Sequence, residues 1–204
     1  MCLFLRPSPD QFVQAPIMTS EPDHHAAIIA STRHWLTSCV IGLNLCPIAR
    51  AVHMSDRVRY FVSDATTTAG LVDDLEQELQ LLEHADPEET ETTLLIHPGV
   101  LDEFLDFNDF LDDADRLIES LQLVGVIQIA SFHPQYQFAD LSSSDIGNYT
   151  NRSPYPILHL LRENSVEQAI ASMSDTSEIY RKNLQTMNAL GLNGWLTLVK
   201  ERID

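Results

Sequence analysis

Three polar side chains stand just after three short apolar runs. Asp64 follows VRYFV (58–62), His97 follows TTLLI (92–96) and His133 follows VIQIA (126–130). One carboxylate and two imidazoles can ligate zinc, iron or manganese. They can equally supply a general base held in place by a carboxylate. With Cys46 nearby, a histidine could instead turn the thiol into a nucleophile. The catalytic candidates are therefore His133 (base or ligand), His97 (ligand or orienter) and Cys46. The metal candidates are Asp64, His97 and His133, with a divalent metal as the implied cofactor. Each has a plainer alternative. Asp64 stands where it could cap the next helix, the two His-Pro pairs could be strand-ending turns, and Cys46 could be an inert buried thiol.

The second concentration of chemistry lies directly after His133. Between that residue and the apolar segment PILHLLRE (156–163), about twenty residues are crowded with Gln, Tyr, Asn, Arg, Ser and Pro. A loop that long in a compact domain is typically a working loop or a disordered one. Its aromatic residues and prolines argue for order. Tyr136 and Gln137 could line a pocket that has one apolar wall, the usual make-up of a small-ligand site. Asn148, Asn151 and Arg152 complete the substrate-binding candidates, with the Arg152 guanidinium as an anion clamp. His159, flanked by leucines, reads as a satisfied core histidine.

The elements that must position these residues follow from periodicity. A first helix starts near Ser20, buries Ile28, Ile29, Trp35, Leu36, Cys39 and Val40, and stops at Gly42 in the left-handed conformation. LNLCPIARAVH (43–53) reads as irregular. Helices over 66–84 and 104–121 alternate with strands at 58–62, 92–96 and 126–130. The aspartates of the second of these helices lack the spacing of a calcium loop and read as its solvated face. Pro156 to Arg162 reads as a short helix, Ser165 with Gln168 and Asp175 with Glu178 as capping boxes, and Gly191 as a helix stop. A last amphipathic helix runs from Trp195 to Ile203.

Strands alternating with helices imply parallel pairing. The expected fold is α/β: a small, mostly parallel, three- to four-stranded sheet with a β-α-β-α-β core, an N-terminal helix and a C-terminal helical cluster. Residues 21–204 form a single domain and residues 1–20 a poorly ordered tail. In such sheets sites gather beyond the carboxyl ends of the strands. If the three strands are parallel and adjacent, Asp64, His97 and His133 share that edge.

Composition narrows the function classes. Among 204 residues, 12 are basic and 30 acidic, a net charge of −18. That balance disfavours binding to nucleic acid or to anionic membrane surfaces. No apolar run is long enough to span a bilayer, and the opening residues lack the pattern of a signal peptide. Three cysteines without a CxxC pair fit a reducing cytoplasm. With 7 glycines, phosphate-binding glycine loops are absent, as are the serine-hydrolase elbow and the HExxH motif.

VIGLNLCPIA (40–49), VSDAT (62–66), TTLLIHP (92–98), DFNDFLD (106–112), VIQIASFHPQYQFAD (126–140) and NYTNRSPYPILHLLRE (148–163) together resemble a bacterial, mainly proteobacterial, family of unknown function. The resemblance spans roughly residues 25–202, with Ile48 where similar members commonly carry Phe. It implies a cytoplasmic bacterial protein and assigns no activity, substrate or cofactor.

Three functional classes remain. The first is a small-molecule enzyme of hydrolytic or transfer chemistry at the strand ends and the 133–153 loop. The second is a non-catalytic module that binds a metabolite or partner. In the third, a structural protein, the loop side chains would be spent on each other.

Overall fold

The computed structural model describes residues 21–171 and 177–200. The expected tail over residues 1–20 and the cap at Asp175 lie outside the described residues. In chain order the elements are α1 (Glu21–Trp35), a π-helical turn (Leu36–Ile41), α2 (Ala49–Met54), β1 (Val58–Val62), α3 (Thr68–His84) and β2 (Thr92–Ile96). They continue with α4 (Phe104–Ser120), β3 (Ile127–Phe132), a 3-10 turn (Ile146–Thr150), β4 (Ile157–Arg162), α5 (Glu163–Ala171) and α6 (Ser177–Lys200).

The sheet has four strands in the order β1-β2-β4-β3. β1 and β2 pair in parallel, whereas β4 runs antiparallel to both β2 and β3. The α/β class holds, but the sheet is mixed rather than mostly parallel. The cause is the segment ILHLLR, read from sequence as a helix. Six residues between Pro156 and Glu163 suit a strand, and a strand buried on both faces is a continuous apolar run without the alternation that marks a half-exposed one. Pro156 is tolerated because it precedes the paired residues. β1, β2 and β3 still point the same way, so their carboxyl ends share an edge. β4 enters the sheet there, with Ile157 opposite both Ile96 and Phe132.

Alternate residues of each strand feed two separate cores. Leu95, Ile127, Leu158 and Leu160 pack with the leucines of α3 and with Phe107, Phe110 and Ala114 of α4. Leu94, Ile96 and Ile157 face the other way, against Trp35, Leu36, Cys39 and Val40 from α1 and the π turn, and Met187 and Trp195 from α6. The result is three layers. The aspartates of α4 stay exposed, as a solvated face should. Two arginines tie the layers together. Arg59 of β1 forks onto both oxygens of the buried Glu78 on α3, at 2.7 and 2.9 Å. Arg162, the last residue of β4, donates through Nη2 to the carbonyls of Leu82, Ala85 and Thr90, gripping the α3–β2 connection.

Several local expectations change. Thr67, not Asp64, caps α3, its side chain accepting from the Gly70 N–H. Residues 49–54 are helical rather than irregular. Ser165 lies inside α5, which follows β4 directly and carries an Asn164–Gln168 side-chain bond instead of a capping box. Gly191 does break α6, with φ 64°. Gly42 is right-handed, at φ −61°, and Asn44 takes the left-handed place at φ 55°. Gly42 is needed for a different reason: a Cβ there would lie 2.3 Å from the Ser38 carbonyl oxygen in the widened turn.

Gly42→Ala is therefore expected to destabilise the fold by about 1–3 kcal/mol, as overpacking does. Urea denaturation checks this; a variant as stable as the parent, or more so, would contradict the close approach.

Candidate functional site

At the shared strand edge, the two histidines converge but Asp64 does not join them. His97 and His133 are both fully buried. The ring of Phe107 lies beside both, its centroid 5.7 Å from His97 and 5.1 Å from His133. Phe104, Tyr136 and Phe138 extend the series by contacts of 5.0–5.6 Å. Each imidazole also holds the turn after β2. His97 Nδ1–H donates to the Val100 carbonyl at 3.0 Å, and His133 Nε2–H donates to the Leu101 carbonyl at 3.2 Å. His133 Nδ1 accepts from the Gln135 N–H at 3.0 Å. Leu101, held by this grip, sits at φ 59°, a conformation unusual for a non-glycine residue.

These bonds fix both rings as neutral tautomers. Burial pushes the His97 pKa down to about 4, and lowers that of His133 too. Both nitrogens of His133 are occupied by main chain. His97 Nε2 is buried with no partner. Neither ring has a free nitrogen open to a substrate. Asp64 is exposed and turns to His25, whose Nε2 lies 2.8 Å from its Oδ1. Among the described residues, no group of three or more His, Cys, Asp or Glu is arranged to hold a metal. The Asp64–His97–His133 set expected as metal ligands is therefore not brought together: the strand ends share an edge, but Asp64 faces α1 while the histidines face the turn between β2 and α4.

The polar loop spends its side chains on itself. Asn148, fully buried, accepts from the Phe138 N–H and donates to the Ser142 carbonyl. Asn151 donates to the Ser131 carbonyl. Gln137 donates to the Leu141 carbonyl. Arg152 donates to the carbonyls of Tyr136 and Ser143 and lies 4.1 Å over the Tyr149 ring. Tyr136 is wedged between Phe104 and Phe138. The five residues expected to bind substrate thus fold the loop, and Arg152 clamps carbonyls rather than an anion.

Cys46 lies elsewhere. It lines a cavity of about 90 Å³ between the second face of the sheet and the segment running from α1 through α2. Trp35, Leu36 and Val40 form one wall, Ile48, Ala49 and Val52 another, and Leu94, Phe132 and Leu161 the sheet side. Polar groups meet the cavity along the sheet: His159, Thr92, Glu91 and Arg162. The Thr92 hydroxyl donates to the Leu160 carbonyl and accepts from His159 Nε2–H at 2.8 Å. Burial lowers the His159 pKa to about 4. His159 is satisfied, as expected, but it also forms part of a cavity wall. Sequence reasoning missed this site because β4 was not recognised as a strand. The available signal was a histidine and a terminal arginine in a six-residue run otherwise wholly apolar.

Residues 27–197 match a family profile described as Protein of unknown function (DUF1415). No curated protein and no solved structure matches the chain. No helix among the described residues is long and apolar enough to cross a membrane.

The histidines make stability pH-dependent. With folded-state pKa values below the ordinary 6.5, the unfolded chain binds more protons between pH 6.5 and about 4. Stability is complete above pH 6.5 and falls as the pH drops through that window. His97 alone is expected to cost roughly 3 kcal/mol by pH 4. Urea midpoints from pH 7 to 5 and the imidazole ¹³C shifts of His97 test this. An imidazolium spectrum for His97 in folded protein at pH 5.5 would refute it.

Proposed function

We propose that this chain, which belongs to the DUF1415 family, is a small-molecule-binding protein. Its ligand occupies the cavity between the α1–α2 segment and the sheet. The observation that carries this reading is the cavity's composition. A wall built almost wholly of apolar side chains, with a few polar groups at one side, is the usual make-up of a ligand site. A comparable lining of Leu, Ile and Phe around about 150 Å³ takes benzene. At about 90 Å³ the present cavity suits a short alkyl chain or small ring.

The alternative of hydrolytic or transfer chemistry at the strand ends has less support. A general base needs a nitrogen within reach of substrate; main chain occupies both nitrogens of His133, and the unpartnered Nε2 of His97 is buried. Cys46, half-buried on the cavity wall, is best used as a reporter of occupancy.

Hexan-1-ol is expected to shift the backbone amide resonances of Cys46, Val52 and His159 saturably. Ala49→Phe, which fills the cavity from its α2 wall, should abolish these shifts while the circular dichroism spectrum stays that of the parent. Absent shifts in the parent, or equal shifts in the filled variant, would overturn the reading.

A further inference from the structure

We infer that the ligand is a short-chain organic carboxylate, its apolar body in the cavity and its carboxylate on Arg162. This rests on the small-molecule reading above and adds the chemistry of the head group. The apolar cavity adjoins a second, more polar space. It shares Ile48, Val52, Glu91, Arg162 and Ser165 with a larger outer cleft of about 550 Å³. The cleft adds polar side chains, Arg57, Asn164 and Gln168 among them. Arg162 therefore stands where an apolar chamber passes into a polar one, the position a head group of an amphipathic ligand must take.

The state of Arg162 selects the sign of that head group. Its Nη2 is fixed on three main-chain carbonyls. Its Nε is buried and has no partner. Among the described residues no carboxylate forms an ion pair with it. Glu91, the carboxylate common to both spaces, lies 3.8 Å from Arg57 instead. A buried N–H of a cation left unmade is costly, and a carboxylate oxygen accepting from that Nε–H would make a charge-assisted hydrogen bond and supply the counter-ion. Because the main chain already holds the guanidinium, little further ordering is needed on binding. An amine would meet like charge, and an alcohol would leave the charge without a counter-ion.

Hexanoate, hexan-1-ol and hexylamine share a chain length and differ in the head. Titrated into the full-length parent and followed at the amides of Cys46, Val52 and His159, hexanoate is expected to bind at least tenfold tighter than hexan-1-ol, and hexylamine weakest. In Arg162→Lys, which keeps a cation but loses the Nε–H donor, the hexanoate preference should narrow several-fold while hexan-1-ol binding persists. In Arg57→Gln it should stay. Equal binding of hexanoate and hexan-1-ol to the parent would overturn the carboxylate assignment and leave the cavity reading standing. A preference abolished by Arg57→Gln but untouched by Arg162→Lys would also overturn it. If none of the three ligands shifts these amides, the cavity reading fails as well.

Discussion

Two imidazoles gripping successive carbonyls of one turn hold the carboxyl edge of this sheet together. β2 and β3 are not neighbours, because β4 lies between them. His97 belongs to the end of β2 and His133 to the end of β3, yet both reach the Val100–Leu101 turn. The turn is thereby anchored across the width of an intervening strand, and α4 starts from a fixed position. Phe107 fills the space beside both rings, so the grip is sealed from water and each proton is held in one place. Replacing either ring by an apolar one would leave a turn carbonyl without its donor, in a region where such a loss costs about 1–3 kcal/mol.

The same arrangement explains why residue type alone misled about chemistry. Histidine, asparagine and arginine in a long loop look like a catalytic set because they are the groups that bind and transfer protons. They are also the groups that can satisfy main-chain carbonyls and amides where no regular ladder exists. The connection from β3 to β4 is a hairpin whose ends lie side by side, with Phe132 opposite Ile157. A long excursion between adjacent strand ends has few ladder bonds of its own. Asn148, Asn151 and Arg152 supply them.

Much of the fold was legible. β1 and β2 fall where short runs of β-favouring residues place them, and α3 and α4 where leucine and phenylalanine spacing does. Both histidines do lie on one strand edge. What escaped is what depends on pairing rather than on local pattern. Ile157–Arg162 is apolar on both faces, and its leucines favour helix as readily as strand. Only the gap between β2 and β3 decides its conformation. With β4 unread, the cavity could not be foreseen, since His159, Leu161 and Arg162 all come from it. Gly42 escaped for a related reason: its role is a tertiary close approach within the π turn, not a positive φ.

The central position of β4 has a consequence for how the chain reaches its native state. The strand that joins the two halves of the sheet is the last to be synthesised. Until residues 157–162 are available, β2 has its parallel partner on one side only and β3 has none. The pairing of Thr92–Ile96 with 157–162 closes a long stretch of chain, and non-local closure of this kind is slow. During that interval the nascent chain carries an open apolar strand edge, the feature that most readily recruits a second chain. Completion of this sheet therefore waits on six residues that come after its other three strands in the chain.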